Sequence, residues 1–489
     1  MTARRALPLA GALAVALGAG VVLAAAVVAN PDHGAGFESA AGLLAAAGLV
    51  CIAAFVRPAW TLSISLALSV FNNHWSNMGV PFSVDRLFLV VGVVSVLVHE
   101  VRAGGWRRLR TQPIHWLLGL AAVYAVVSAI LAGTLGDHDA QSALLGRFGL
   151  IPFAVFFVAP FAFREERDRR VLVGTLVALG AYLGLTALLE TTGPKSLVVP
   201  GYITDPAVGI HADRARGPLV EATGNGIALF ACLIACVMAL GMWRSPRWRK
   251  VAVAVAGLCA LGVLFTLTRS VWLGAGIGAL AALLATPRTR RLVIPAAVVG
   301  TLLVLGAFAA IPGLHAKADS RANAQSPVWA RENSNAAAGR MIDQHPLLGF
   351  GWGRFASDST DYYVLNPNYP LSGVQEVHNV FLSNAVELGL LGGLLWLLAL
   401  LAGVGGSIFK RGPPELKPWK IGLIALLAIW LVIANTTPMG LAMPTLLLWA
   451  WAGIARGGRS APSRERTEQA RPHEASSPSG RELPALVAR

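Results

Sequence analysis

The segment GVQEVHNVFLSNAVELGLLGGLLWLLALL, from Gly373 to Leu401, changes within a few residues from a polar stretch to a continuous apolar one. Its apolar part is long enough to cross a hydrocarbon core of about 30 Å as a helix rising about 1.5 Å per residue. An ionisable ring, His378, stands at the junction, with Asn379 beside it and Glu387 further along. The pattern predicts a membrane-spanning helix with a histidine at its polar entrance.

The composition extends this interpretation to the whole chain. Its 489 residues are 55% hydrophobic and only 13% charged, and the mean hydropathy is +0.62. Soluble domains usually carry about 25% charged residues, so this balance indicates a polytopic membrane protein. In lipid only helices satisfy their own backbone groups within one segment, so we expect an all-α transmembrane bundle.

Apolar segments recur along the chain and predict about 12 to 14 spans. The first one is interpreted as a retained span, because Pro31, Asp32 and His33 follow it in place of a signal-peptide cleavage site. The segments lie at 7–29, 38–56, 59–71, 83–99, 114–132, 143–161, 170–190, 221–243, 250–268, 270–286, 292–311, 379–409, 420–436 and 439–455.

The basic residues fall in alternate connections between these segments. Two examples are REERDRR at 164–170 and WRSPRWRK at 243–250, whereas the connection GTLGDHDAQS at 133–142 has no Lys or Arg. Cytoplasmic loops of membrane proteins carry an excess of Lys and Arg, so the pattern predicts that both termini are cytoplasmic. It also accounts for the net charge of +15 without a nucleic-acid partner.

This orientation divides the chain into four parts. We expect N-terminal transmembrane helices over 1–311, a large extracytoplasmic loop with short helices over 312–377, and C-terminal transmembrane helices over 378–455. The remainder, 456–489, is rich in Ser, Arg, Glu and Pro and is predicted to be a disordered cytoplasmic tail.

The long loop contains one clear helix signal. Ser326 is a candidate N-cap, Pro327 suits the first helical position, and His345-Pro346 would stop the helix. The glycine-rich stretch that follows predicts a compact turn against the membrane. The aromatic residues of the loop are interpreted as anchors at the membrane interface, with sugar stacking as the alternative. They are Trp329, Trp352, Tyr362, Tyr363 and Tyr369.

Several arginines fall on the predicted outer side, where an unpaired guanidinium costs free energy unless it snorkels or meets an anion. Arg269 lies in a tight turn between two spans and either contacts lipid headgroups or binds a phosphate with its planar donor fork. Arg216 is either an ordinary loop charge or a group near the mouth of the next span. Arg147 stands in an apolar context that favours a structural partner.

His378 has two interpretations of its own. Near water its pKa suits proton transfer from a hydroxyl, but a capping or packing histidine is an equal alternative. Glu387 would lie about 13 Å deeper along the helix, so a dyad with His378 is not expected. We expect Glu387 to satisfy polar partners inside the bundle, because an isolated carboxylate there is costly.

The segment EVHNVFLSNAVELGLLGGLLW, preceded by GRMIDQHPLLGFGWGRF, resembles the signature region of the O-antigen ligase and O-antigen polymerase superfamily. RARGPLVEATGNGIAL and FTLTRSVWLGAGIGAL also resemble family segments in the expected order. The resemblance implies a bacterial enzyme that works on the outer face of the cytoplasmic membrane. It implies a glycan donor on undecaprenyl diphosphate, a glycan or glycolipid acceptor, and no metal, nucleotide or other cofactor.

The resemblance also assigns roles to residues. His378 would be the general base that activates the acceptor hydroxyl, while Arg216 and Arg269 would bind the donor diphosphate. Arg147 and Arg340 are further candidates for diphosphate binding. Direct attack of the hydroxyl would invert the anomeric configuration, and the paired carboxylates of a glycoside hydrolase are not evident.

Three alternatives remain open at this point. Within the superfamily, the acceptor distinguishes a ligase from a polymerase or a protein oligosaccharyltransferase. A transporter or flippase of lipid-linked glycans would place ionisable residues near the bilayer midplane and show internal repeats between its halves. A structural scaffold of envelope assembly would leave the outer arginines individually dispensable.

Overall fold

A computed structural model describes residues 55–103, 111–311, 313–323, 326–364, 376–440 and 442–457. These residues form α-helices joined by turns and by short 3-10 and π-helical segments, and no strand occurs among them. The predicted all-α class is confirmed. The predicted span at 7–29, nearly all of that at 38–56, and the predicted tail apart from its first two residues lie outside the described residues.

The helices are numbered here in chain order. They are α1 (Pro58–Leu68), α2 (Val84–Arg102), α3 (Pro113–Leu131), α4 (His138–Ala143), α5 (Leu150–Ala162), α6 (Glu166–Thr192), α7 (Ala222–Met242), α8 (Pro246–Phe265), α9 (Arg269–Leu284), α10 (Pro287–Arg290), α11 (Val293–Ala310), α12 (Leu314–Ala322), α13 (Ser326–Gln344), α14 (Phe355–Asp358), α15 (Val380–Leu400), α16 (Gly406–Phe409), α17 (Lys417–Ala434) and α18 (Ala442–Arg456).

Eight helical segments in the described part of the chain are long and apolar enough to cross a membrane. Two shorter apolar helices, Pro58–Phe71 and Arg269–Leu284, accompany them. The chain is therefore a multi-pass membrane protein. The predicted span at 83–99 does form a helix, α2, but it is not among the eight, and both of its ends carry ionisable residues.

Small residues let the helices of the bundle approach closely. Gly274 of α9 lies against Ile429 of α17, and Gly278 lies against the Ala425 carbonyl one turn further along. These two contacts show that α9 and α17 run antiparallel along each other. Glycines and alanines at such crossings allow the backbone-to-backbone packing that is common between membrane helices.

Connections rich in basic residues meet at one end of the bundle. This end, which we call the basic face, joins the end of α2, the starts of α3 and α6, the connection before α17 and the end of α18. The opposite end is called the site face. The contacts that join the basic connections are Arg164–Glu100 at 3.0 Å, Arg169–Glu415 at 3.5 Å and Arg456–Gln112 at 3.1 Å.

Helix α15 is interrupted inside its apolar stretch. Gly389 has φ 69° and ψ 176°, a conformation that removes it from the helical hydrogen-bond ladder. A Cβ atom at this position would lie 2.1 Å from the Leu347 carbonyl oxygen, so only glycine fits. The predicted continuous span from 379 to 409 is thus a helix with one break.

The re-entrant turn, residues 345–354, lies against this break and satisfies the backbone groups that the break exposes. Irregular backbone at membrane depth is tolerated only where protein groups or water satisfy it. The turn provides hydrogen-bond partners for backbone groups both before and after Gly389. Its bonds are Phe350 N–H to the Val386 carbonyl at 3.0 Å, Gly351 N–H to the Glu387 carbonyl at 2.9 Å, Leu390 N–H to the Pro346 carbonyl at 2.7 Å and Leu391 N–H to the Leu347 carbonyl at 3.3 Å.

A buried ion pair reinforces the same place. Arg147 Nη2 lies 2.9 Å from Glu387 Oε2, and both side chains are almost fully buried. The Arg147 guanidinium also lies over the Trp352 ring, 4.9 Å from its centroid. The Trp352 indole donates to the Ala140 carbonyl at 2.9 Å. The prediction that Glu387 meets a polar partner inside the bundle is confirmed.

The long loop follows its predicted helix signal, but one of its aromatic residues departs from the prediction. Helix α13 runs from Ser326 to Gln344 and stops before His345, as expected. Trp352, however, is 0% exposed, so its prediction as an interface anchor is wrong. Its ring is enclosed because the re-entrant turn inserts into the bundle rather than lying on its surface. Tyr369 lies outside the described residues.

We predict that Gly389→Ala destabilises the protein, while Gly393→Ala, in the same helix, does not. Alanine at 389 must adopt a positive φ and meet the Leu347 carbonyl, a strain of about 1–3 kcal/mol. At 393 the nearest atom would be 3.4 Å from the new Cβ, and alanine favours a helix over glycine by about 1 kcal/mol. Thermal unfolding in detergent measures both. Equal melting temperatures for the two variants would contradict the constraint at Gly389.

Candidate functional site

Three helix ends meet on the site face. Because α9 and α17 run antiparallel with Gly274 beside Ile429, Arg269 at the start of α9 stands level with the end of α17 near Ala434. Asn435, the next residue, accepts a hydrogen bond from Asn379 Nδ2 at 3.3 Å. The start of α15 is therefore held at the same place as Arg269. This convergence brings two of the residues predicted from sequence, Arg269 and His378, into one region.

His378 is not the cap of α15. The Asn379 side-chain oxygen accepts from the backbone N–H groups of Phe381 at 2.9 Å and Leu382 at 3.1 Å, which makes Asn379 the N-cap. His378 precedes the cap and is half-buried. The capping alternative for the histidine is thus removed, and its ring does not take part in satisfying the helix end.

The surroundings of His378 favour its neutral form. Burial lowers the pKa of His378 below its ordinary value, and the positive charge of Arg331 lowers it further. The backbone and the carboxylate of Glu376 act in the opposite direction without cancelling this effect. A neutral imidazole at pH 7 can accept a proton, which is the state that a general base needs.

Arg331, on α13, is a candidate that the sequence interpretation missed. Its Nε atom is buried and has no hydrogen-bond partner in the described part of the chain. Its pKa is lowered by burial and by the charge of Arg269, although arginine stays protonated in proteins. Arg331 is therefore electrostatically coupled to both Arg269 and His378, and a negatively charged ligand would relieve the repulsion between the two guanidinium groups.

A signal for Arg331 was present in the predicted helix 326–344. Ser334, Ala338 and Met341 are buried and follow each other at helical spacing. Arg331 precedes Ser334 by three residues and falls on the same stripe. The buried stripe of α13 packs on the start of α15, so its first member faces the region of His378.

Arg214 joins the cluster through the turn between α8 and α9. Its Nη1 donates to the Thr268 hydroxyl at 3.2 Å, and the neighbouring Ala215 N–H donates to the Phe265 carbonyl at 3.1 Å. These bonds hold the loop before α7 against the residue that precedes Arg269. Arg269 itself is exposed at the first position of α9.

Arg216 occupies a different environment from the one that the sequence suggested. It is 1% exposed, and its guanidinium donates to four backbone carbonyls of the loop before α7. A bound diphosphate could reach it only if these bonds broke. The geometry therefore favours a role in shaping the loop that carries Arg214. The four carbonyls belong to Ile203 at 2.9 Å, Val208 at 2.7 Å, Ile210 at 3.3 Å and Asp205.

The remaining two arginine candidates also have partners. Arg147 is enclosed by Glu387 and Trp352 at the break of α15, so its charge is already balanced inside the bundle. Arg340 is exposed on α13, and its Nε donates to the Tyr362 carbonyl at 2.9 Å. The structure thus brings Arg269 together with His378, whereas Arg147 and Arg216 are held by structural contacts of their own.

The described residues contain no group of three or more His, Cys, Asp and Glu side chains that could hold a metal ion. The Glu376 carboxylate acts electrostatically on His378 and also on Glu221. Glu221 caps α7 by accepting the Gly224 N–H at 3.3 Å. It is therefore already used by the fold.

Comparison with known protein families adds to this geometry. Residues 254–397 match the family model described as O-antigen ligase. The match supports the O-antigen ligase superfamily. No curated protein gives a significant match to the chain. The resemblance that the sequence suggested is thereby confirmed for this segment.

The matched segment covers the two predicted residues that the fold brings together. It runs from within α8 into α15 and contains Arg269, Arg331, Arg340 and His378. Arg214 and Arg216 precede it. The family match therefore includes the turn before α9, the long loop and the entrance of α15, and it ends beyond the break at Gly389.

We predict that Arg331→Gln raises the pKa of His378. Removing a like charge makes protonation of the imidazole less costly, so the midpoint of its titration moves toward higher pH. Arg340→Gln, on the exposed side of the same helix, is the matched control and leaves the midpoint unchanged. The pH dependence of diethyl pyrocarbonate modification, read at the His378 peptide by mass spectrometry, measures the shift. A midpoint that is the same in both variants would show that Arg331 does not act on His378.

Proposed function

We propose that this protein transfers a glycan from an undecaprenyl-diphosphate-linked donor to an acceptor hydroxyl at the site face. The observation that carries the proposal is the convergence of Arg269 and Arg331 with the start of α15, where the half-buried His378 has a lowered pKa. Arg214 is linked to the turn before Arg269 through Thr268. The first two arginines and His378 lie in the segment that matches O-antigen ligase. The arginines of this set could bind a diphosphate, and the histidine could take a proton from a hydroxyl.

The proposed reaction is a direct displacement. His378 takes the proton of the acceptor hydroxyl while its oxygen attacks the anomeric carbon of the donor. The bond between that carbon and the diphosphate oxygen breaks, and the electron pair leaves with the lipid diphosphate. The attack comes from the opposite side of the ring, so the anomeric configuration inverts.

The arginines would act mainly on the leaving group. Negative charge grows on the diphosphate as the glycosidic bond breaks, and guanidinium groups held at the site stabilise that charge. Because Arg269 and Arg331 repel each other when the site holds no anion, the lipid diphosphate would also relieve a cost already present in the protein. Arg214 is placed beside Arg269 through Thr268.

In this proposal Arg216 and Arg147 support the site without touching the donor. Arg216 holds the loop that carries Arg214, and Arg147 holds the break of α15 below His378. Arg340 lies at the rim, where its bond to the Tyr362 carbonyl orders the loop after the re-entrant turn. Loss of Arg216 or of Arg147 would act through the shape of the site.

The proposed location is the outer side of the bacterial cytoplasmic membrane. Its support is the separation of charge: the basic face contains connections of the kind that remain in the cytoplasm, and the site lies at the opposite end. Outside the cell there is no supply of nucleotide sugars, so an activated sugar has to arrive on a lipid. The acceptor then decides between a ligase and a polymerase of the same superfamily.

A lipid-linked glycan transporter is the second candidate, and the Arg147–Glu387 pair is the observation that favours it. Ionisable residues inside membrane spans often mark transport pathways. Here the pair is closed by a 2.9 Å contact and by Trp352, and it holds the break of α15. Transport through this position would require the pair to separate.

We predict that purified protein in detergent transfers glycan from the lipid-linked donor, and that His378→Ala lowers the rate by about 10²- to 10⁴-fold. His315→Ala, an exposed histidine of α12 paired with Asp319 at 3.0 Å, is the matched control and keeps the rate. Detergent removes the two compartments between which a transporter works. Glycan transfer measured in detergent would therefore support the enzyme and not the transporter. Chromatography of the glycan product measures the rate.

The arginines give the second arm of this test. Arg269→Gln and Arg331→Gln should weaken binding of undecaprenyl diphosphate at least about tenfold, since each removes a charge-assisted contact of about 1.4 kcal/mol or more. Arg340→Gln should bind as the unchanged protein does. Wild-type transfer by His378→Ala would remove the proposed base, and wild-type binding by both site arginine variants would remove the diphosphate site.

A further inference from the structure

A cleft lies at the basic face, at the opposite end of the bundle from the proposed site. It is a groove between α6 and the hairpin of α7 and α8, with a volume of about 540 Å³. Small-molecule sites commonly enclose about 300–1,000 Å³. Val177 of α6 and Val251 of α8 form part of its walls, and Gly174 leaves the space between them open. We call this cleft the basic-face groove.

The mouth of the groove is aromatic and cationic. Trp243 and Trp248 stand there with their ring centroids 6.2 Å apart, and Trp248 is 61% exposed. Tryptophans at the ends of membrane helices mark the level of the lipid headgroups. Arg244 lies between the two rings in sequence and also lines the groove. The apolar walls of the groove therefore end at the level where the charged headgroup of a lipid would lie.

The charge at this mouth is unbalanced. Arg170 pairs with Glu166 at 2.6 Å, so its charge is partly satisfied within α6. Arg244 has no carboxylate within ion-pair distance in the described part of the chain, and the start of α8 adds Arg247, Arg249 and Lys250. Basic residues near the membrane surface attract anionic lipid headgroups. A lipid with one negatively charged headgroup and a hydrocarbon chain would therefore fit the cationic mouth and the apolar walls.

We propose that the basic-face groove binds an anionic phospholipid, with an acyl chain along Gly174 and Val177 and the phosphodiester at Arg244. The apolar walls fit an acyl chain, and the cationic mouth selects a negatively charged lipid over a zwitterionic one. The polyprenyl chain of a glycan donor would leave the cations of the mouth unused, because its diphosphate is proposed to lie at the opposite face. The site is independent of the proposed glycan transfer.

Gly174 and Arg244 allow the two halves of the site to be tested separately. A Cβ atom at Gly174 would meet no heavy atom within 4 Å, so Gly174→Leu fills the groove without a backbone clash. Gly257 of α8 is equally open and does not line the groove, so Gly257→Leu is its matched control. Arg288→Gln, on α10, is the matched control for Arg244→Gln.

The experiment is native mass spectrometry of the full chain in detergent with phosphatidylglycerol or phosphatidylethanolamine. We expect one tightly held phosphatidylglycerol that Gly174→Leu weakens at least about tenfold, equivalent to about 1.4 kcal/mol. Arg244→Gln should reduce phosphatidylglycerol binding to the level of phosphatidylethanolamine, and both controls should bind as the unchanged protein does.

Three results would overturn the proposal. The first is equal retention of the two lipids by the unchanged protein. The second is undiminished phosphatidylglycerol binding in both Gly174→Leu and Arg244→Gln. The third is displacement of the lipid by inorganic phosphate alone, which would mean an anion site without a lipid chain, or by a neutral polyprenol, which would mean a groove for the donor tail.

Discussion

The closure of the break in α15 is the constraint on which the site depends. A helix that loses its hydrogen bonds inside a membrane has to recover them from protein, and the re-entrant turn supplies four backbone bonds on both sides of Gly389. The Arg147–Glu387 pair and Trp352 fix the same junction. Removing one partner of such a buried pair typically costs about 3–5 kcal/mol, because it leaves an uncompensated charge. This clamp fixes the long loop against the helix that begins with His378.

These contacts at Gly389 also fix the position of the long loop relative to His378. Helix α13 leads directly into the re-entrant turn, so the position of the turn sets the position of α13 and of Arg331. The like charges of Arg331 and Arg269 are then held near each other by packing rather than by attraction. This repulsion lowers the stability of the folded protein, and a bound anion would restore that stability. Glycan transfer from a lipid diphosphate would use this feature, since the leaving group carries negative charge.

Much of this architecture followed from the sequence. Hydrophobic length located the apolar helices between residues 114 and 455, and the helix signals at Ser326 and His345 located α13. His378 was recognised because it stands where a polar loop meets an apolar helix. These predictions succeeded because they rest on local composition, and an apolar segment of sufficient length must form a helix in a membrane.

The errors share a physical cause. Trp352 was predicted to be an interface anchor, yet it is enclosed by a turn that re-enters the bundle. The diphosphate role of Arg216 remains a prediction, but its four bonds to carbonyls of its own loop were not foreseen. Arg331 was missed, and the break at Gly389 was not foreseen among the neighbouring glycines. Apart from the helical stripe on which Arg331 lies, these features depend on contacts between segments far apart in the chain, and no local pattern in a single sequence encodes them.

The most direct measurement of the central claim follows the lipid-linked glycans of cells depleted of this protein. Mass spectrometry of the lipid extract identifies any glycan that accumulates on undecaprenyl diphosphate, and periodate treatment of intact spheroplasts reports the side of the membrane on which it lies. The account predicts accumulation on the outer side together with the loss of one glycan-bearing surface product. An unchanged lipid-linked pool, or a pool confined to the cytoplasmic side, would contradict it.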